Sequence, residues 1–164
     1  MATQQGSPSM LNDPVAQELL HSTNIAQLAY NWTDGTPRVI PIWFHWTGEE
    51  VVFAGPTAAP KFKAIQGQKV AISINSNTWP YKSLLIRGTA RVSIVEGVAQ
   101  EYAQAASRYF GPEGGESWLN QLGALGIKET GRVAVKPEWV GIHDFETRWP
   151  SAVESAMAAS QGGG

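Results

Sequence analysis

The residues most able to do chemistry in this chain lie at 57–63, Thr-Ala-Ala-Pro-Lys-Phe-Lys. Thr57 offers a hydroxyl, Lys61 and Lys63 offer positive charge, and Pro60 has the fixed φ of a first helical turn. A helix start adds unpaired backbone N–H groups and the positive end of the peptide dipole. Together these are the parts of a phosphate site, although a solvated loop with two surface lysines has the same composition. Upstream, Arg38-Val39-Ile40-Pro41-Ile42-Trp43 reads as a strand without a polar face. Alternation sets Val39, Pro41, Trp43 and His45 against Arg38, Ile40, Ile42, Phe44 and Trp46. Both faces are therefore expected to be covered. Helix and barrel would do this, and so would a flat ring lying along the strand with its polar edge on backbone groups.

Other polar residues form no recognisable catalytic set. His45 has no Asp or Cys close in sequence, and His21 and His143 are too distant to make a short-spaced metal motif. Glu49 and Glu50 fall in a turn, while Asp144 and Glu146 end a strand. Ser73 lacks a nucleophile-elbow sequence. Chemistry would therefore have to be carried by a cofactor.

The elements that must position these residues are legible from turns and periodicity. Asp13-Pro14 is an N-cap followed by a first-turn proline, and it starts a helix over Val15–His21. Strands are predicted over 25–32, 37–46, 51–54, 70–75, 83–95 and 132–143, with Asp34-Gly35 and Thr47-Gly48 as turns. The first three read as a meander, hence antiparallel. Pro41 cannot donate to a ladder, which puts its strand at an edge or a bulge. Gly88 allows a bend in the long strand. A short helix begins at Pro60 and ends by Gly67. Two more helices, 98–110 and 115–125, are separated by Gly111-Pro112. Asn75–Tyr81 is a loop carrying Trp79 and Tyr81, aromatics of the kind that mark contact surfaces. Six antiparallel strands with peripheral helices favour a small closed or split barrel. Residues 1–10 and 156–164 read as flexible tails around one domain at 11–155.

Composition excludes several classes of function. With a formal net charge of −2, nothing favours nucleic acid or an anionic membrane as partner. The chain has no Cys, which rules out disulfides, thiolate metal sites and a Cys nucleophile. No apolar run approaches the roughly 20 residues that span a bilayer. The N-terminus has no secretory pattern, so a cytoplasmic location is expected. Seven Trp favour a stacking site beyond core needs.

Four ordered segments resemble the pyridoxamine 5'-phosphate oxidase-like family: Pro41–Glu50 (P-x-W-F-x-W-x-G-E-E), Ala59–Ile65 (A-P-K-x-K-A-I), Leu84–Ala90 (L-L-I-R-G-T-A) and Asp144–Val153 (D-F-E-T-R-x-P-S-A-V). The likeness spans 25–95 and resumes through 133–153. It implies a six-stranded antiparallel split β-barrel that binds FMN, or alternatively the deazaflavin F420, with two sites at a homodimer interface. On that resemblance Thr57, Lys61 and Lys63 meet the cofactor phosphate. Arg38, Val39, Ile40, Pro41 and Trp43 line the ring and ribityl chain. Trp79, Tyr81, Arg87 and the Arg148-Trp149 segment are placed as contacts from the partner subunit. The Arg and His substrate contacts of true pyridoxamine 5'-phosphate oxidases are missing near the C-terminus, so vitamin B6 synthesis is not predicted. A flavin-dependent oxidoreductase acting on a small organic molecule is the expected function. A non-catalytic flavin- or haem-binding carrier or sensor is the alternative.

Overall fold

The computed structural model describes residues 5–161. The remaining positions of the two expected tails, 1–4 and 162–164, lie outside the described residues. A 3-10 turn over Pro8–Asn12 leads into α1 (Pro14–Leu20). There the Asp13 carboxylate accepts from the Val15 N–H at 2.9 Å, as the predicted cap requires. The strands are β1 (Ala26–Asn31), β2 (Pro37–Ile42), β3 (His45–Trp46), β4 (Val51–Pro56), β5 (Lys69–Asn75), β6 (Lys82–Glu96) and β7 (Glu129–Asp144). The helices that follow α1 are α2 (Lys61–Ile65), α3 (Gln100–Ala124) and α4 (Ser151–Gln161).

All seven strands form one antiparallel sheet in the order β2-β1-β5-β6-β7-β4-β3. This corrects the meander. β2 pairs with β1, but the next strands in the chain pair at the far end of the sheet. The predicted strand 37–46 is in fact two strands, β2 and β3, broken at Trp43-Phe44. One extended stretch of chain thus supplies both ends of the sheet, and the sheet must curl until its ends meet near that break. Seven strands replace the expected six for this reason, and the split-barrel architecture stands. β2 is an edge strand, as Pro41 requires.

Curling also needs a bend in the long β6–β7 pair. Gly88 supplies it: the register shifts between Arg87 and Gly88, leaving Glu138 unpaired in the ladder. A Cβ on Gly88 would stand 2.3 Å from the Lys136 carbonyl oxygen, so no larger residue fits. The Glu138 carboxylate fills the gap, accepting from the Thr89 N–H at 3.1 Å and the Thr89 hydroxyl at 2.7 Å.

Inside the barrel, alternate positions of β1, β5, β6 and β7 bury Leu28, Ile72, Ile74, Leu84, Ile86, Val133, Val135, Val140 and Ile142 with Phe44 and Phe53. Leu19 and Leu20 of α1 join this core, as do Phe62 and Ile65 of α2.

Three further expectations are revised. The outward face of β2 is not covered by its own chain, since Val39 is 65% exposed and Pro41 is exposed as well. Residues 5–10 are tied down rather than free. The Gly6 N–H donates to the Val140 carbonyl at 2.8 Å, and the Gln5 amide exchanges hydrogen bonds with the Ile142 backbone. At the other end, α4 runs through residue 161, past the tail boundary at 156, with no buried residue.

Candidate functional site

The site is built where the barrel is split. Among the described residues β2 pairs with β1 alone, and β4 beyond Val52 pairs with β7 alone. The free edges of β2 and of Phe53–Pro56 therefore diverge from the Trp43-Phe44 break, each with unpaired backbone N–H and C=O groups. Helix α3 holds the break in place. The Arg108 guanidinium donates to the Phe44 and Ser22 carbonyls, the latter at 2.9 Å, and lies 4.8 Å from the Phe44 ring centroid. Trp43 turns onto α3, stacked on Tyr109 (5.1 Å) and Tyr102 (5.8 Å) and edge-on to Phe110 and Trp118.

Beside this aromatic group, between the end of β4 and α3, lies a cavity of about 300 Å³. Gly55, Pro56 and Lys61 line one wall, Val98, Tyr102, Trp118, Leu122 and Ile127 the other, and Thr130 is also present. Lys61 is its one ionisable group apart from the Tyr102 phenol. None of the ion pairs among the described residues includes Lys61. Burial without a compensating acid lowers its pKa from the ordinary lysine value. A half-buried, unpaired ammonium facing an otherwise apolar cavity is matched to an anion. The helix start contributes less than its sequence promised, because α2 is a single turn of five residues without a side-chain cap. Thr57 is half-buried in the preceding turn, while Lys63 is exposed and does not line the cavity.

The remaining predicted residues fall elsewhere. Arg38 and Arg87 border a groove of about 380 Å³ across β2, β1, β5 and β6, together with Lys69. The Arg38 guanidinium lies 4.9 Å from the Trp32 ring and that of Arg87 4.0 Å from Trp139. Val39 lines an adjoining hollow with Arg87. One transverse row across the sheet, Val39–Ala29–Ala71–Arg87, is small in the middle, which makes the trough. Ile40 packs half-buried against the core. Trp79, Tyr81 and Trp149 form a third group around Phe145, with ring centroids 5.3–6.5 Å from it. Trp79 remains 61% exposed. Arg148 is bound within the chain, donating to the Asp13 carboxylate at 2.8 Å. A single chain thus brings Lys61 to the cavity and Trp43 to the aromatic group beside it, with Thr57 in the turn before α2, while the side chains of Arg38 and Arg87 and the Trp79 group lie apart from that cavity.

Sequence reasoning assigned Tyr102 and Trp118 to helix packing and missed their place in the cavity wall. The signal was present in the number of aromatics on α3, which exceeds what one buried helix face uses. His45 sits half-buried behind the break with its Nδ1 buried and unpartnered. Burial chiefly, and the Arg108 charge next, hold its pKa below the usual value, with Glu101 opposing. Glu101 is itself engaged by Arg132. No cluster of three or more His, Asp or Glu that could hold a metal occurs among the described residues, and no helix there is long and apolar enough to cross a membrane.

The family profile described as pyridoxamine 5'-phosphate oxidase matches residues 13–138. A search of curated proteins finds no match. Among solved structures, a conserved hypothetical protein from Mycobacterium tuberculosis is similar with a TM-score of 0.66 at 17% identity, covering 87% of this chain and 91% of that one. An F420 reductase is similar with a TM-score of 0.55 at 24% identity, covering 77% and 94%. A FAD- and haem-binding protein from Mycobacterium smegmatis gives 0.58 at 21%, covering 98% and 81%. At these identities the structural likeness establishes the fold. With the profile spanning most of the chain, this protein belongs to the pyridoxamine 5'-phosphate oxidase family.

Proposed function

We propose that this protein is a flavin-dependent oxidoreductase that binds FMN, or alternatively F420, in the split of the barrel as a cytoplasmic homodimer. One observation carries the reading: Lys61 is a desolvated cation without an acid partner, facing a cavity beside an unpaired strand edge. Those residues fit a phosphate-bearing planar cofactor. Lys61 neutralises the phosphate, assisted by the Thr57 hydroxyl. The free backbone groups of β2 between Arg38 and Ile42 meet the polar edge of the ring system, and Trp43 closes the inner end. When bound, the cofactor supplies hydride transfer to or from a small organic substrate. The protein's part is to hold it, balance its charge and keep water from the reacting face.

The exposed outer face of β2, with Val39 and the neighbouring trough, is the surface for a second copy. Assembly would bring Arg87, Trp79, Tyr81 and Trp149 of one subunit towards the other's cofactor, which the single chain does not do. The relatives named as an F420 reductase and as a FAD- and haem-binding protein support a cofactor site in this fold. They also keep the carrier reading open. Among the described residues Lys61 has no acid partner, and Glu101, the acid that acts on His45, is held by Arg132, which favours the carrier specifically.

Expression in a host that makes F420, followed by an absorption spectrum and mass analysis of any released cofactor, tests the reading. A flavin or deazaflavin that substrates re-oxidise faster than oxygen does is expected. Tight binding without such acceleration would replace the enzyme by the carrier. A haem band would move the site to His45.

A further inference from the structure

The cavity beside Lys61 has one wall that is held unlike the others. Helix α3 is two helices joined at Gly111, whose φ of 77° and ψ of 166° break the ladder just before Pro112. The first part is anchored. Arg108 binds the Phe44 and Ser22 carbonyls, the Tyr109 hydroxyl donates to the Asn24 carbonyl at 3.0 Å, and Glu101 pairs with Arg132. Ala105 and Ala106 are fully buried there.

The second part has little of this. From Pro112 to Leu125 its one side-chain hydrogen bond among the described residues runs from the Trp118 indole N–H to the Tyr102 hydroxyl, at 3.1 Å. Gly115 is its one buried residue, and Leu125 is 77% exposed. It meets the first part through Gly114 and Gly115. A Cβ on either would come within 3 Å of Phe110 or of the Ser107 backbone, so the contact there is close and has no room for side chains, and the aromatic contacts across it, to Phe110 at 6.2 Å and to Trp43 at 6.2 Å, are made by the ring of Trp118. At its far end Gly126 has φ 71°. The segment is bracketed by two glycines in the left-handed region, and Trp118 and Leu122 on it wall the cavity.

We propose that residues 112–125 are a hinged cover over the Lys61 cavity. It pivots at Gly111 and Gly126, is latched by the Trp118–Tyr102 hydrogen bond, and swings aside to admit the anionic end of the ligand. The ligand class is a small molecule with a phosphate or carboxylate at Lys61 and, next to that anion, an apolar segment that passes the rings of Trp118 and Tyr102. Where that molecule is FMN, the inference rests on the function proposed above.

Hydrogen exchange on the full chain, with and without FMN, tests it. Without ligand, amides of 113–124 should exchange at least roughly ten-fold faster than those of 101–109. Tyr102→Phe should speed exchange of 113–124 by roughly 3- to 10-fold and leave 101–109 unchanged, as loss of one hydrogen bond implies. FMN should slow exchange in the cover. Equal protection of the two parts would overturn the proposal. So would a Tyr102→Phe profile like that of the parent, which would mean a frayed helix and not a latched one. If FMN fails to bind while the difference and the Tyr102→Phe effect persist, the flavin reading falls and the cover stands.

Discussion

At the scale of single residues, two titratable groups report on the site. Burial lowers the Lys61 pKa from the ordinary lysine value, and an anion bound beside it favours the charged form and raises that pKa again. Binding of FMN should therefore weaken as pH rises through the folded pKa of Lys61, which lies below the ordinary lysine value. Lys61→Arg should bind with a flatter profile, because guanidinium stays charged. Titrations from pH 7 to 10 check this, and parallel profiles for the two proteins would remove Lys61 from the phosphate contact. His45 gives a prediction for folding. Its folded pKa lies below the ordinary histidine value, so the unfolded chain takes up the proton first. Stability should then be full above about pH 6.5 and decline as pH falls below it. His45→Gln should lose that slope in thermal melts between pH 5 and 7.5, and an unchanged slope would assign it to other groups. Lys61 was legible as a candidate in the sequence because loop, proline and charge are local features. Its lack of an acid partner among the described residues was not, since that depends on how β4, α2 and α3 pack.

At the scale of elements, local signals read correctly and non-local ones did not. The cap at Asp13, the edge position of Pro41 and the break at Gly111-Pro112 follow from the conformational limits of those residues. The bend at Gly88 was likewise visible, and the structure shows why only glycine serves. Gly88→Ala should destabilise the fold by about 1–3 kcal/mol, the usual range for forcing atoms into a packed site. Denaturant melts would show this, and a loss below about 0.5 kcal/mol would mean that the bulge relaxes freely. Pairing across the sheet was beyond the sequence. The run 37–46 alternates without interruption, and nothing in its residues reveals that its halves serve opposite ends of one sheet. The break at Trp43-Phe44 is fixed from outside by Arg108 of α3, more than sixty residues away. Helix α4 and the docked residues 5–10 escaped for the same reason, as small polar residues look alike in a tail and on a surface.

At the scale of the whole molecule, the outer sheet face sets the terms. It exposes Val39 and Pro41 beside small residues and places Arg38 and Arg87 along a groove. Residues that the family resemblance gathers at one cofactor are dispersed in a single chain, and a second copy is the economical way to unite them. A stable homodimer burying over about 1,000 Å² is the expected state. Light scattering at micromolar concentration should return twice the chain mass, and Val39→Asp should shift it towards monomer and weaken FMN binding together. A monomer that binds FMN at full strength would contradict the shared site.

The central claim is that the unpaired Lys61 ammonium holds the phosphate of a flavin-type cofactor in the split of the barrel. The most direct test is a fluorescence titration of FMN and F420 into the parent protein and into Lys61→Ala, with folding of both confirmed by melting. We predict a loss of about 1.5–3 kcal/mol in binding, or roughly 10- to 150-fold in Kd, the range for a charge-assisted hydrogen bond. Equal affinity of the two proteins for both cofactors would contradict the account.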